Sequence, residues 1–269
     1  MNKLLVGTAA FVAFATIGSA SAADLPVKAP PMVAPPVWSW TGFYVGANVG
    51  GHWGDDELTT TTSPPNFVAG FATALDAASA ATVKPQGLIG GVQAGYNWQF
   101  NSFLMGVEAD ANGLSGTGSR SVTFGPLGGA GAGTFMNDSV QETFLATVRG
   151  RVGVTFDRAL LYATGGYAVG TIKTSDNLGF PGNFNDATSA STTRSGWTAG
   201  AGVEYAFAPN WSAKVEYLFV DLGTTNVALA CGVAPCVNPN DSIVHHRYTD
   251  DILRVGVNYH FGGPVVARY

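Results

Sequence analysis

In the stretch TFLATVRGRVGVTF, residues 143–156, apolar and polar positions alternate. Phe144, Ala146, Val148, Val152, Val154 and Phe156 share one parity. Thr143, Thr147, Arg149, Arg151 and Thr155 take the other, with Leu145 the exception. A β-strand sends successive side chains to opposite faces, so the pattern predicts a strand with one apolar face and one face carrying two arginines. In water the apolar face would cover a core. In lipid it would face outward and the arginines would face a closed interior.

Seven further segments alternate in the same way: 41–53, 87–100, 102–113, 159–172, 196–207, 211–222 and 251–261, with the arginine strand extending from about 140 to 156. The connections fall into two classes. Those at Asn101–Ser102, Asp157–Arg158 and Pro209–Asn210 are hairpin-short and use turn-forming residues. Those at roughly 54–86, 114–139, 173–195 and 223–250 are long and polar. Short turns on one side and long loops on the other are the arrangement of an outer-membrane barrel, turns periplasmic and loops extracellular. Trp98, Phe100, Phe103, Phe156, Phe207 and Trp211 all lie near the short turns, and Tyr259 and Phe261 end the last strand at that level. The spacing predicts an interfacial aromatic girdle at the periplasmic boundary. The fold expected is all-β, an eight-stranded antiparallel transmembrane β-barrel over residues 41–261.

Parity then fixes what faces inward. The polar faces collect Glu108, Asp110, Glu204 and Glu216 against Arg149, Arg151, Lys214 and Arg254. An eight-stranded barrel has an interior just wide enough for side chains to fill, and charges buried there must be paired. Equal numbers of acids and bases fit a filled lumen better than a wide selective pore. Gly46, Gly50, Gly91, Gly95, Gly166, Gly170, Gly200 and Gly202 fall mainly on the same inward parity, leaving room for the arginine heads. Arg194, by contrast, is expected in a loop.

Composition narrows the class. Only 12% of residues are charged and 36 are glycine, whereas a soluble domain carries about a quarter charged residues. At the start, Lys3, the apolar run LLVGTAAFVAFATI and the small residues Ala20, Ser21 and Ala22 read as a signal peptide over 1–22. Its removal leaves 12 Lys+Arg against 18 Asp+Glu, which argues against a nucleic-acid partner. Residues 23–40, which contain APPMVAPPVWSW, read as a proline-rich, extended periplasmic arm. In an exported chain Cys231 and Cys236 suggest a disulfide. A metal site using them would need further ligands, such as His245 and His246. The run GGAGAG, 128–133, has no strand–helix context and reads as a loop tip, not a phosphate loop.

The segments ADLPVKAPP, WTGFYVGANVGGHWG, GGVQAGYNWQF, GVEADANG, RGRVGVTFDRALLYATGGYAVG, GWTAGAGVEYAFAPNWSAKVEYLFVDLG and ILRVGVNYHF together resemble the small outer-membrane β-barrel proteins of alphaproteobacteria, the rhizobial and brucella-type porin-like surface antigens. The resemblance implies an abundant, surface-exposed barrel with no enzymatic chemistry as a class. It also implies that the aromatic strand end, Tyr259 and Phe261, is the signal read by the outer-membrane assembly machinery. Here residues 262–269, GGPVVARY, follow as a C-terminal periplasmic tail, so either the internal signal is still read or Tyr269 takes part.

Four functions are compatible with these observations. The first is a structural envelope component and surface antigen, in contact with outer-membrane lipid and lipopolysaccharide. The second is a narrow porin. The third is ligand capture by the extracellular loops, as an adhesin or with haem at His245, His246 and Tyr248; a solvated loop face is the simpler reading of those residues. The fourth is an enzyme, with His52 as the tempting base; no serine is placed opposite it, and His260 reads as a lumen hydrogen-bonding group. No catalytic residue, metal or cofactor is expected.

Overall fold

A computed structural model describes residues 38–62, 72–73, 76–77, 79–123, 133–180, 184–230 and 240–261. Its strands, in chain order, are β1 Gly42–Thr62, β2 Ala81–Val83, β3 Gln86–Phe100, β4 Phe103–Leu114, β5 Gly118–Thr123, β6 Phe135–Phe156, β7 Ala159–Phe180, β8 Phe184–Ala208, β9 Trp211–Ala230 and β10 Asn240–His260. Neighbours pair antiparallel in the order β10-β9-β8-β7-β6-β4-β3-β1, and β10 pairs back onto β1 from Tyr44↔His260 to Thr62↔Ser242. The sheet therefore closes on itself, and closure removes the unpaired edges that lipid cannot satisfy. The short β2 pairs with β1 and β5 with β6, both at the end away from the hairpin turns. The eight segments read from alternation are the eight wall strands. Two of the tight turns place a non-glycine residue at positive φ, Asn101 at 55° and Asp157 at 53°. Asn and Asp tolerate that conformation better than other side chains.

The wall is taller than the sequence pattern suggests. β1 runs on to Thr62, and β7 and β8 nearly meet at Phe180 and Phe184, so most of the region expected as loop 173–195 is strand. The reason is solvent. Beyond Trp53 the outward residues of β1 are Asp55, Glu57, Thr59 and Thr61, and several inward ones are polar too. With polar residues on both faces, the apolar alternation that marks a strand disappears.

Among the described residues, two register slips within the wall shift the side-chain phase, and two more lie at strand ends, at Ala206–Ala208 and Asn240–Ser242. In β6 the register slips between Glu142 and Phe144, so Glu142 and Leu145 both face inward. Leu145 keeps the inward phase of Thr147, Arg149 and Arg151, and is the exception in the alternation because it is an apolar residue on that inward face. In β9 the slip lies opposite Arg247–Thr249, where Gly223 adopts φ 71°. One extra residue on one strand is what a β-bulge inserts.

Candidate functional site: a layered lumen

The inward face is filled in layers. At the turn end Trp38 and Trp40 are buried with Leu104, Leu160, Tyr162 and Ala206. Their rings meet edge-on at 5.5 Å, and each contacts His260, at 5.4 and 5.7 Å. The Trp40 amide donates to Gln99 Oε1 at 2.9 Å. The last residues of the proline-rich segment are thus a stopper in the barrel mouth, where an extended arm was expected. Two indoles gain more by leaving water than a solvated linker would.

Above the stopper lie the eight charges. Arg149 reaches Glu108 at 2.5 Å, Asp110 at 2.8 Å and Glu216 at 3.2 Å. Arg151 pairs with Glu204 at 2.8 Å and packs over the Tyr162 ring, 4.1 Å from its centre. Lys214 donates to both Glu108 oxygens at 2.9 Å. Arg254 meets Glu216 at 2.6 Å and Asp110 at 3.2 Å. Neutral groups complete the network: Tyr44 donates to Glu108 at 2.7 Å, Tyr162 to Glu216 at 2.9 Å, and Asn258 to Glu204 at 2.7 Å. Every one of these charged side chains is almost wholly removed from solvent. The tyrosines need space, and Gly202 provides it: a Cβ there would lie 2.6 Å from the Tyr162 ring.

An apolar layer follows, including Ile89, Leu145, Ile172, Leu218, Val220 and Ile252. Inward residues of this kind give no sign of their direction in the sequence, because they resemble the lipid-facing set. At the far end the lumen becomes polar again. His246 Nδ1 lies 2.7 Å from Asp56 and Nε2 3.5 Å from Asp176, while Asp138 faces Arg120 at 3.7 Å. Arg194 is also inside, 5% exposed, with Nη1 3.5 Å from the His246 carbonyl, so its expected loop position is corrected. It lies in the part of β8 where both faces are polar.

His245, His246 and Tyr248 are strand residues rather than loop residues. His245 faces outward to Asn226 and Thr61, whereas His246 and Tyr248 face the lumen, so the two histidines do not converge on one ligand. His52 is inward, with Asp250 and the Ser115 carbonyl as its partners. His260 contacts Ser212 at 2.9 Å.

On the outside, Phe100, Phe103, Phe156, Phe207 and Phe261 are exposed around the turn end with Trp98 and Trp211. Tyr259 packs between Trp211 and Phe261, each ring centre 5.2 Å away. A second aromatic belt, Trp53, Tyr167, Trp197 and Tyr217, marks the other edge of the apolar band. Tyr217 donates to Asp251 there. On β9 the band runs from Trp211 to Phe219, roughly 26 Å along the strand and about 20 Å across a membrane at the usual tilt. The membrane-spanning part of β10 accordingly begins near Asp251, and His246 lies beyond it.

Burial alone would lower the His246 imidazole, but the carboxylates of Asp176 and Asp56 outweigh it and raise it from 6.5 to about 9. A folded-state pKa raised above the unfolded one stabilises fully below the unfolded value, and that contribution is lost as pH rises through the folded one. The barrel should therefore lose stability between about pH 6.5 and 9. His246→Asn should flatten that part of the curve, since Asp56, Asp176, Asp138 and Arg194 remain; equal pH slopes for the two proteins would exclude it.

Cys231 and Cys236, most of GGAGAG, the signal peptide, most of the arm and the 262–269 tail lie outside the described residues.

A closed antiparallel barrel, apolar outside between two aromatic belts and polar inside, defines an outer-membrane β-barrel protein. The chain belongs to the outer membrane protein beta-barrel domain family, whose model matches residues 10–261. It is 37% identical to the 31 kDa outer-membrane immunogenic protein of Brucella melitensis biotype 1, over 92% of this chain and 95% of that one. It is 27% identical to the 25 kDa outer-membrane immunogenic protein of Brucella abortus biovar 1, over 97% and 99%. The 22 kDa outer membrane protein of Rhizobium leguminosarum bv. viciae is 32% identical over 78% of this chain and 74% of its own. The protein is an outer-membrane protein of the Gram-negative envelope.

Proposed function

We propose that the protein is a non-conducting structural component of the outer membrane whose charge-paired lumen stiffens the wall and whose far end is displayed as a surface antigen. The observation that carries this reading is the succession of layers across the lumen: indoles, paired charges, apolar side chains, then a second polar cluster. Water or a solute would have to displace each in turn. The immunogenic relatives named above support the surface-antigen part. In this reading lipid and lipopolysaccharide cover the outer wall, and the assembly machinery reads the strand end at Tyr259 and Phe261. No reaction is assigned.

Single-channel recording of the folded protein in a planar bilayer tests the reading. The expected trace is flat at physiological salt. Steady, reproducible steps would favour a narrow porin instead. The double variant Trp38→Ala, Trp40→Ala should also stay closed, because the charged and apolar layers lie above the stopper.

A further inference from the structure

The balance of charge that holds in the middle of the lumen fails at its outer edge. Glu142 and Asp250 are both buried, on β6 and β10, and their functional atoms cluster with those of His52. The four bases of the middle layer are held by Glu108, Asp110, Glu204 and Glu216. Glu142 receives the Tyr248 hydroxyl on Oε2, at 2.7 Å, and Asp250 faces His52 Nδ1 at 3.2 Å. Glu142 Oε1 and Asp250 Oδ2 make no hydrogen bond of good geometry, although Oδ2 lies 3.2 Å from His52 Nδ1 and the two carboxyls are close enough to share a proton. Two buried carboxyls facing a hydroxyl and one imidazole are neutral only if a proton or a cation sits among them, because an unpaired charge is costly where water is excluded.

The imidazole is oriented for a third component. Its Nε2 lies 2.9 Å from the Ser115 carbonyl, which can only accept, so the proton sits on Nε2. In the neutral ring the Nδ1 lone pair then points at the Asp250 carboxylate. A histidine whose far nitrogen is tied to a backbone carbonyl is the usual outer-shell arrangement of a metal ligand. The 3.2 Å separation of Nδ1 and Asp250 Oδ2 is just under the tetrahedral ligand-to-ligand edge, about 3.3–3.6 Å, of a site with bonds of about 2.0–2.2 Å. One ligand atom from each of the three residues lies within 4.8 Å of the others, so a small closure would bring all of them onto one ion. The bulge between Glu142 and Phe144 is what turns Glu142 into this position.

We propose that His52, Glu142 and Asp250 form a binding site for a divalent first-row cation at the outer edge of the lumen. One imidazole with two carboxylates suits zinc or manganese better than the soft, thiolate-seeking metals. The bound ion would neutralise the two carboxylates and tie β1, β6 and β10 together across the barrel.

The test uses the folded, full-length barrel after treatment with a chelator, titrated with Zn²⁺ and separately with Mn²⁺ by calorimetry, with metal content checked after dialysis. A single saturable equivalent is expected for at least one of them. Its affinity should fall at least tenfold in Asp250→Asn and in Glu142→Gln. Absence of uptake of both metals by the wild-type barrel would overturn the site and mean that the carboxylates share a proton instead. So would variants that bind as tightly as the wild type. If neither variant folds, zinc K-edge absorption of the wild-type protein decides. Nitrogen and oxygen neighbours at about 2.0–2.2 Å are expected, whereas sulfur at about 2.3 Å would move the zinc to Cys231 and Cys236 and sink the proposal.

Discussion

Replacing Arg149 by alanine should destabilise the folded barrel by about 3–5 kcal/mol, the range observed when one partner of a buried ion pair is removed. The guanidinium touches three acids, Glu108, Asp110 and Glu216. Lys214 and Arg254 also contact these acids but cannot follow into the vacated space, because each is anchored on its own strand, Lys214 holding Glu108 and Arg254 holding Glu216. Asp110 and Glu216 would be left short of one donor in a region closed to water. Unfolding of detergent- or vesicle-embedded protein by urea, followed by the mobility shift between folded and unfolded forms, measures the change. Lys84→Ala is the proper comparison, since that side chain is 73% exposed and should leave the midpoint unchanged. Arg194 would be a poor one, since it too is buried. Equal midpoints for Arg149→Ala and Lys84→Ala would mean that water reaches the middle of the lumen.

The second large effect concerns a pair rather than a residue. Arg151→Met and Glu204→Gln should each cost several kcal/mol, because each breaks the 2.8 Å pair and leaves a buried charge with only a longer contact, Arg151 to Glu108 at 3.5 Å or Glu204 to His260 at 3.6 Å. Together they should cost less than either alone, since a buried ion pair replaced by neutral groups of similar volume is often nearly harmless. The double-mutant cycle isolates that coupling. Strictly additive losses would show that Arg151 and Glu204 act independently, and the picture of paired lumen charges would fail at that point.

How much of this was readable in advance follows from the solvent on the outer face. Between the two aromatic belts the outer face of each strand is apolar and the inner face carries the charges, so parity alone puts Glu108, Asp110, Arg149, Arg151, Glu204, Lys214, Glu216 and Arg254 on one side. Beyond Trp53 and Asp251 the outer face meets water, both faces are polar, and strand looks like loop. Alternation therefore gives no sign that Asp56, Asp176, Arg194 and His246 point inward. Glu142 was hidden by a bulge, which no alternation rule can place. Trp38 and Trp40 were hidden by their proline-rich context, which suggests an exposed linker. Leu218 and Ile252 are apolar and inward, and nothing local separates them from Val215 or Leu253, which face lipid.

The bulges at Glu142–Phe144 and Gly223 act as phase shifters between two lengths of wall. Below them, losing or gaining one residue would turn a whole strand inside out and drive charges into lipid. Above them, such a change can be absorbed by moving the slip along the strand, because an inverted threonine or aspartate still finds water. Insertions and deletions are therefore free to accumulate in the part of the barrel that faces the outside world. The membrane-embedded part stays locked to its reading frame of alternating faces.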